Sequence, residues 1–156
     1  MIALIAACDL NNVIGYKGKI PWSIKGEQKR FKELSTGNVV IMGRRSYEEI
    51  GHPLPGRTTI VISNTITYND HNLCTVPSLS DAISYSGNKD IYISGGSRLY
   101  QEALPIADKI YLTIVESEFS GDTFFPIINQ NEWLKTYELR VEGALPYTYI
   151  TLERKL

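Results

Sequence analysis

Ile91-Tyr92-Ile93-Ser94-Gly95-Gly96-Ser97-Arg98-Leu99-Tyr100 changes character at its midpoint. A short apolar run stops at two glycines, and a segment of helical pattern follows, ended before Pro105. The pattern predicts a strand at Ile91–Ser94, a tight turn, and a helix at Ser97–Leu104. Glycines let a backbone approach a pyrophosphate closely, and the start of a helix offers free N–H donors. The turn is not the GxGxxG fingerprint. An ordinary strand-to-helix turn and a phosphate-binding turn are both open on these residues alone.

The same alternation repeats on either side. Short apolar runs predict strands at Ile2–Ala7, Val39–Met42, Thr59–Ile62, Cys74–Val76 and Ile110–Val115, each suited to burial on both faces of a sheet. Between them, helices are predicted from Ser23 as N-cap to Leu34, over Arg45–Ile50 before Gly51 and Pro53, and from Ser78 or Ser80 to Tyr85. Asp9 to Trp22 carries Asn11, Asn12, Gly15, Gly18 and Pro21 and reads as a long ordered loop, a kind of segment usually tied to function. Two alternating runs, Thr136–Val141 and Tyr147–Leu152, flank Gly143 and Pro146 and predict an antiparallel hairpin. The expected fold is α/β: one domain over residues 1–156, three layers α/β/α, with a mixed, mainly parallel central sheet and a C-terminal antiparallel hairpin.

Composition agrees. The chain has 156 residues, 43% apolar and 21% charged, an ordinary globular mix. A net charge of -1 gives no bulk attraction to nucleic acid. Cys8 and Cys74 stand apart from any Cys/His cluster, so reduced thiols are expected and a metal site is not. The run Met1–Cys8 has no basic leader and meets Asp9 at once, which argues against a signal segment. No stretch reaches the length of a membrane span. A cytoplasmic monomer is expected.

Four further groups carry chemistry. On the predicted helix Ser23–Leu34, Ile24, Phe31 and Leu34 form the apolar stripe, and Glu27 stands within it, whereas Lys25, Lys29, Arg30, Lys32 and Glu33 fall mainly on other faces. A carboxylate on such a stripe is costly unless it meets a partner or ligand; the alternative is a glutamate at the stripe's edge reaching water. Gly43-Arg44-Arg45-Ser46 follows a buried strand and opens a helix, which places two arginines where α/β sheets bind ligands, or else leaves them solvated. Pro53-Leu54-Pro55-Gly56-Arg57 makes a rigid turn that presents Arg57, suited to a carboxylate or simply to water. Gly121-Asp122-Thr123-Phe124-Phe125-Pro126 reads as a turn whose Asp caps N–H groups elsewhere or its own turn.

Taken together, Ile2–Ala7, Val13-Ile14-Gly15, Ile20-Pro21-Trp22, Phe31-Lys32, Val40-Ile41-Met42-Gly43-Arg44, Pro53–Arg57, Ser94-Gly95-Gly96, Tyr111-Leu112-Thr113, Gly121-Asp122-Thr123 and Phe125-Pro126 resemble the bacterial dihydrofolate reductases along nearly the whole chain. The resemblance implies hydride transfer from NADPH to C6 of dihydrofolate and protonation of N5 through water. It gives Glu27, Trp22 and Thr113 the catalytic positions, Glu27 binding the pterin and Thr113 supporting it. Burial should raise the pKa of Glu27. Ile5, Ala6, Gln28, Phe31, Lys32, Ile50, Leu54 and Tyr100 fall at substrate positions, with Arg57 on the glutamate tail. Ala7, Ile14, Gly15, Gly18, Lys19, Ile20, Gly43, Arg44, Arg45, Ser46, Ser63, Asn64, Ser94, Gly95, Gly96, Ser97, Arg98, Leu99 and Tyr100 fall at cofactor positions. The Asp9–Trp22 loop resembles a lid, held by Asp122, and Gly95-Gly96 a cis peptide. Glu27, Gln28 and Ser94 replace the Asp, apolar residue and Ile of the commonest chromosomal pattern. Ile20-Pro21-Trp22-Ser23 with Lys25-Gly26-Glu27-Gln28 is closer to the mobile-element, trimethoprim-insensitive branch. Two other readings share the fold: a pyrimidine reductase of riboflavin synthesis, which would need neither Arg57 nor Glu27, and a catalytically silent NADPH or folate binding module.

Overall fold

The computed structural model describes residues 1–15 and 27–156, Glu27 by its backbone alone. Its strands are β1 (Ile2–Asp9), β2 (Val13–Gly15), β3 (Val39–Gly43), β4 (Thr58–Ile62), β5 (Leu73–Val76), β6 (Ile91–Ile93), β7 (Lys109–Val115), β8 (Thr123–Phe124), β9 (Trp133–Val141) and β10 (Tyr147–Arg154). Its α-helices are α1 (Glu27–Ser35), α2 (Arg44–Ile50), α3 (Leu79–Ser86) and α4 (Ser97–Ala103).

Eight strands form one sheet in the order β5-β4-β3-β6-β1-β7-β10-β9. Neighbours from β5 to β7 are parallel, and β10 runs antiparallel to both β7 and β9. The apolar runs are continuous because both faces are covered. Leu4, Ala6 and Cys8 of β1 and Val39 and Ile41 of β3 pack with Leu79 and Ala82 of α3 and Leu99 and Ala103 of α4. Ala3 and Ile5, with Val40 and Met42, pack with Phe31 and Leu34 of α1 and Tyr47 of α2. That is the expected three-layer order, with successive residues of each strand feeding opposite layers.

The helix signals act as read. The Ser78 side chain accepts the Asp81 N–H at the start of α3, and Gly51 closes α2 in the left-handed conformation. Past α4, Pro105 does not break the chain away but sits in a short 3-10 turn, Leu104–Ile106. Ser23 as an N-cap lies outside the described residues.

Two expectations are corrected. The Asp9–Trp22 segment is not all loop, because Val13–Gly15 is a strand. The Gly121–Pro126 segment is not only a turn, because Thr123–Phe124 pairs with that strand, antiparallel. A three-residue and a two-residue strand are too short to show alternation. Asp9 fixes the first of them: its buried carboxylate accepts the N–H groups of Asn11 and Val13 from one side and of Phe119 from the other. The hairpin is as expected, but β9 starts at Trp133 rather than Thr136, and its middle is exposed because it forms the sheet edge. Lys135, Glu138 and Arg140 along it suit an edge that must not recruit another strand.

Candidate functional site

In an open parallel sheet, ligands sit beyond the carboxyl ends of the strands where the winding direction changes. Here β1 lies at that position, between β6 and β7, and the chain leaves both faces beside it. A cleft of about 570 Å³ opens at this place. Among the described residues its wall comprises Ile5, Ala6 and Ala7 of β1, Ile14 of β2, Gln28, Arg30 and Phe31 of α1, Ser46, Glu49 and Ile50 of α2, His52, Ser94, Gly95, Gly96, Tyr100, and Tyr111 and Thr113 of β7.

The glycine turn is the most constrained part. Gly95-Gly96 is a cis peptide, as the resemblance implies. Gly95 has φ +117°, a region closed to ordinary side chains, and a Cβ there would meet the Ser46 hydroxyl and the Tyr100 hydroxyl at 3.4 Å. The Gly95 carbonyl accepts the Gly43 N–H at 2.8 Å, which ties the carboxyl end of β3 to that of β6. Gly96 caps α4, and among the described residues no side chain caps the first N–H groups of that helix. This backbone cradle, kept clear by the absence of two Cβ atoms, fits the pyrophosphate of a dinucleotide. Tyr100 is buried below it; its hydroxyl donates to the Ile5 carbonyl at 2.7 Å, and its ring packs on Phe125 at 5.0 Å.

The proposed adenosine end lies at the carboxyl ends of β3 and β4, which are adjacent and parallel. Arg44 is not free there: it pairs with Glu48 at 2.9 Å, and Glu48 also accepts the Tyr68 hydroxyl. Arg45 and Asn64 are exposed. The Ser63 hydroxyl accepts the N–H groups of Thr65 and Ile66 and so shapes its own turn. On α4, Ser97 donates to the Phe124 carbonyl, Arg98 is exposed, and Leu99 is corrected: its side chain is buried in the core, so only its backbone reaches towards the cradle.

Arg57 is held more firmly than its sequence shows. It is 6% exposed, its Nε donates to the Pro55 carbonyl at 3.1 Å, and Nη1 donates to the Ser35 hydroxyl at 3.3 Å. Its guanidinium lies 5.4 Å from the centre of the Phe31 ring, and burial lowers its pKa from the ordinary arginine value. The turn that presents it is docked on the end of α1 through the Gly37 N–H to the Gly56 carbonyl. Leu54 packs in the same cluster as Phe31, and Lys32 is exposed.

Gly18, Lys19, Ile20 and Trp22 lie outside the described residues, as does the side chain of Glu27. Glu27 stands in the first turn of α1 as described, one turn before Arg30 and Phe31. Thr113 is buried on the cleft wall. Asp122 reaches the end of β2: its N–H donates to the Gly15 carbonyl, and its carboxylate accepts the Thr123 hydroxyl.

Arg30, Glu49, His52 and Tyr111 line the cleft without having been singled out. Arg30 is a correction, since the helical pattern put it on another face. It is half-buried, 4.0 Å from the ring centre of Tyr149 and 5.9 Å from those of Tyr111 and Tyr137. Burial lowers its pKa, partly offset by those tyrosines. Behind Tyr111, the phenol of Tyr92 is pushed up to about 12, first by burial. The available signal was the three-residue offset of Arg30 from Glu27, which puts both on neighbouring positions of a helix.

The comparisons with known proteins agree with this geometry. The dihydrofolate reductase family model matches residues 1–154. A dihydrofolate reductase type A13 from Escherichia coli is 38% identical over 156 residues, covering 99% of this chain and 94% of that one. A dihydrofolate reductase from Staphylococcus aureus is 34% identical over 160 residues, covering 99% and 98%. The structure of the Enterococcus faecalis dihydrofolate reductase complexed with NADP(H) and RAB-propyl superposes with a TM-score of 0.91 at 33% identity, covering 100% of this chain and 97% of that one.

Proposed function

This chain belongs to the dihydrofolate reductase family, and from that premise we propose how its own residues perform the family's reaction. The reaction is the NADPH-dependent reduction of 7,8-dihydrofolate to tetrahydrofolate. When bound, NADPH supplies the hydride that C6 of the pterin accepts. The single observation that carries the residue assignment is the cleft itself, which joins Ile5, Ala7, Phe31 and Thr113 to the Gly95-Gly96 cradle in one continuous wall.

In this reading Gly95, Gly96 and the first N–H groups of α4 hold the pyrophosphate, and Gly43, Ser46, Ser63 and Asn64 with Arg45 surround the adenosine end. Arg44, whose pair with Glu48 is made through Nη1, offers its remaining N–H groups to that end. Ala7, Ile14 and Ser94 border the nicotinamide, and Ile5, Phe31 and Ile50 enclose the pterin and benzoyl rings. Glu27, steadied by Thr113, binds the pterin edge and favours its protonated form. Arg57 takes the tail carboxylate with its fork. The apolar walls exclude bulk water, which strengthens each of these contacts. No described side chain is assigned to N5, and water carries that proton. The protein acts as a monomer in the cytoplasm; among the described residues no helix is long and apolar enough to cross a membrane.

NADPH oxidation followed by absorbance with dihydrofolate tests the activity. NADPH exceeds NADH in kcat/KM. Neutral glutamines at positions 44 and 45 narrow that gap by about ten- to hundred-fold, the scale of one or two charge-assisted hydrogen bonds. Parity of the two cofactors in the unaltered enzyme contradicts the assignment of the arginines.

The enzyme is also read as trimethoprim-insensitive. Glu27 is one methylene longer than Asp, and Gln28 and Ser94 make the wall more polar. The tail contact at Arg57 spares dihydrofolate from these misfits, so the asymmetry favours substrate. An inhibition constant well above nanomolar is expected, tightening about tenfold or more in Glu27→Asp with Gln28→Leu. A nanomolar constant for the unaltered enzyme sinks this reading.

A further inference from the structure

Arg30 is a cation in the wall of the cleft whose guanidinium makes no ion pair and donates no hydrogen bond among the described residues. Aromatic faces hold it instead. Tyr149 lies 4.0 Å away, with Tyr111 and Tyr137 at 5.9 Å. Such stacking restrains a guanidinium without neutralising it, and arginine does not lose its proton in the working pH range. The register fixes which end of the cleft it occupies. Tyr149 stands opposite Thr113 across β10 and β7, and opposed residues share a face. Tyr111 precedes Thr113 by two residues and so shares it too. The guanidinium therefore stands at the Thr113 end, one turn along α1 from Glu27. The other ionisable side chains on the described wall are Glu49, His52, Tyr100 and Tyr111. Tyr100 is committed to the Ile5 carbonyl, and Glu49 and His52 come from α2 and the turn after it.

We propose that Arg30 is a specificity-determining residue that selects against cationic 2,4-diaminopyrimidine ligands and for the neutral 2-amino-4-oxo ring of dihydrofolate. The inference rests on the reading that puts that ring at the Glu27–Thr113 end. A protonated diaminopyrimidine gains from the carboxylate but meets a like charge close by. Unit charges on the order of 8–10 Å apart, at an effective dielectric constant near 20, lose about ten- to thirtyfold in affinity. Dihydrofolate binds as a neutral ring and does not incur that loss on binding, and its C4 carbonyl is an acceptor that a guanidinium tolerates; any cost to the later protonation of N5 falls on kcat and leaves KM unchanged.

The test compares Arg30→Met, Arg30→Gln and Arg30→Lys with the unaltered enzyme. It measures the inhibition constant of trimethoprim, its pH dependence, and the KM for dihydrofolate. Arg30→Met tightens the inhibitor about ten- to thirtyfold more than it changes the substrate KM, and Arg30→Gln follows it. Arg30→Lys, which keeps the charge and loses the flat stack, stays within about threefold of the parent. The gain disappears at a pH where the inhibitor itself is neutral, a response that a purely structural role for Arg30 does not produce. Equal shifts for inhibitor and substrate overturn the proposal, as does a gain in Arg30→Lys matching that in Arg30→Met. Trimethoprim that does not compete with dihydrofolate overturns the placement of the ring, and the proposal with it. The absolute constant of the parent reports on insensitivity alone, separately from these ratios.

Discussion

Glu27→Gln lowers turnover with dihydrofolate at neutral pH by about 10²–10⁴-fold, the range set by removing a positioned acid–base group. The argument starts from the sequence, where Glu27 stands on the apolar stripe of its helix, and continues through the fold, where the first turn of α1 opens onto the cleft beside Phe31 and Thr113. Glutamine keeps the size and a hydrogen bond but cannot hold a proton for the pterin. The loss should therefore shrink as the solution is acidified, because dihydrofolate then arrives already protonated. Binding of NADPH, measured by fluorescence titration, should change little, since its cradle is built from β6, α4 and α2. A Glu27→Gln enzyme with native turnover at neutral pH would falsify the assignment. Equal loss at every pH would reduce Glu27 to a binding contact.

Arg57→Leu raises the KM for dihydrofolate by about 10²-fold or more, the scale of losing a bidentate charged pair. Its effect on kcat is much smaller, because the tail carboxylate is remote from C6 and N5. A pterin without the glutamate tail is reduced almost equally by parent and variant. The structure explains why the pair should be strong. Pro55 and Ser35 already fix the guanidinium, so little side-chain freedom remains to be lost when a carboxylate docks. Arg57→Lys, with one ammonium in place of a fork, falls between the two. A thermal melt controls for the contacts to Ser35 and Pro55. Equal losses with the tailed and tailless substrates remove Arg57 from this role.

How much of this was legible depended on length and on pairing. The runs Ile2–Ala7, Val39–Met42 and Ile110–Val115 were readable because two covered faces demand uninterrupted apolar side chains. β2 and β8 were not, because a few residues tied by a ladder and by Asp9 carry no periodic signal. Glu27 stood out because a charge on an apolar stripe conflicts with its surroundings. Arg30 did not, because its surroundings are tyrosines contributed by β7, β9 and β10, and no local pattern tells of partners more than eighty residues away. The positions of Arg44, Ser63 and Leu99 were legible, but their commitments to Glu48, to a turn and to the core were tertiary. The rigid Pro53–Arg57 turn predicted that Arg57 would be held; the Ser35 hydroxyl that helps to hold it came from another element.

The place of β1 has a consequence for how the chain is made. β1 occupies the middle of the sheet and leaves the ribosome well before its neighbours β6 and β7, which are encoded far downstream. The Ile2 N–H bonds to Asp108, 106 residues later. At about 5–20 residues per second of translation, Ile2–Cys8 waits on the order of 5–20 s with both apolar faces uncovered. The sheet cannot zip from its N-terminal end; β3, β4 and β5, close in sequence and mutually adjacent, can associate first, and the opening strand is then inserted between partners that arrive last. The apolar strand therefore stays uncovered until its partners are made, and the cleft, which needs β1 as its floor, is among the last parts of the molecule to exist.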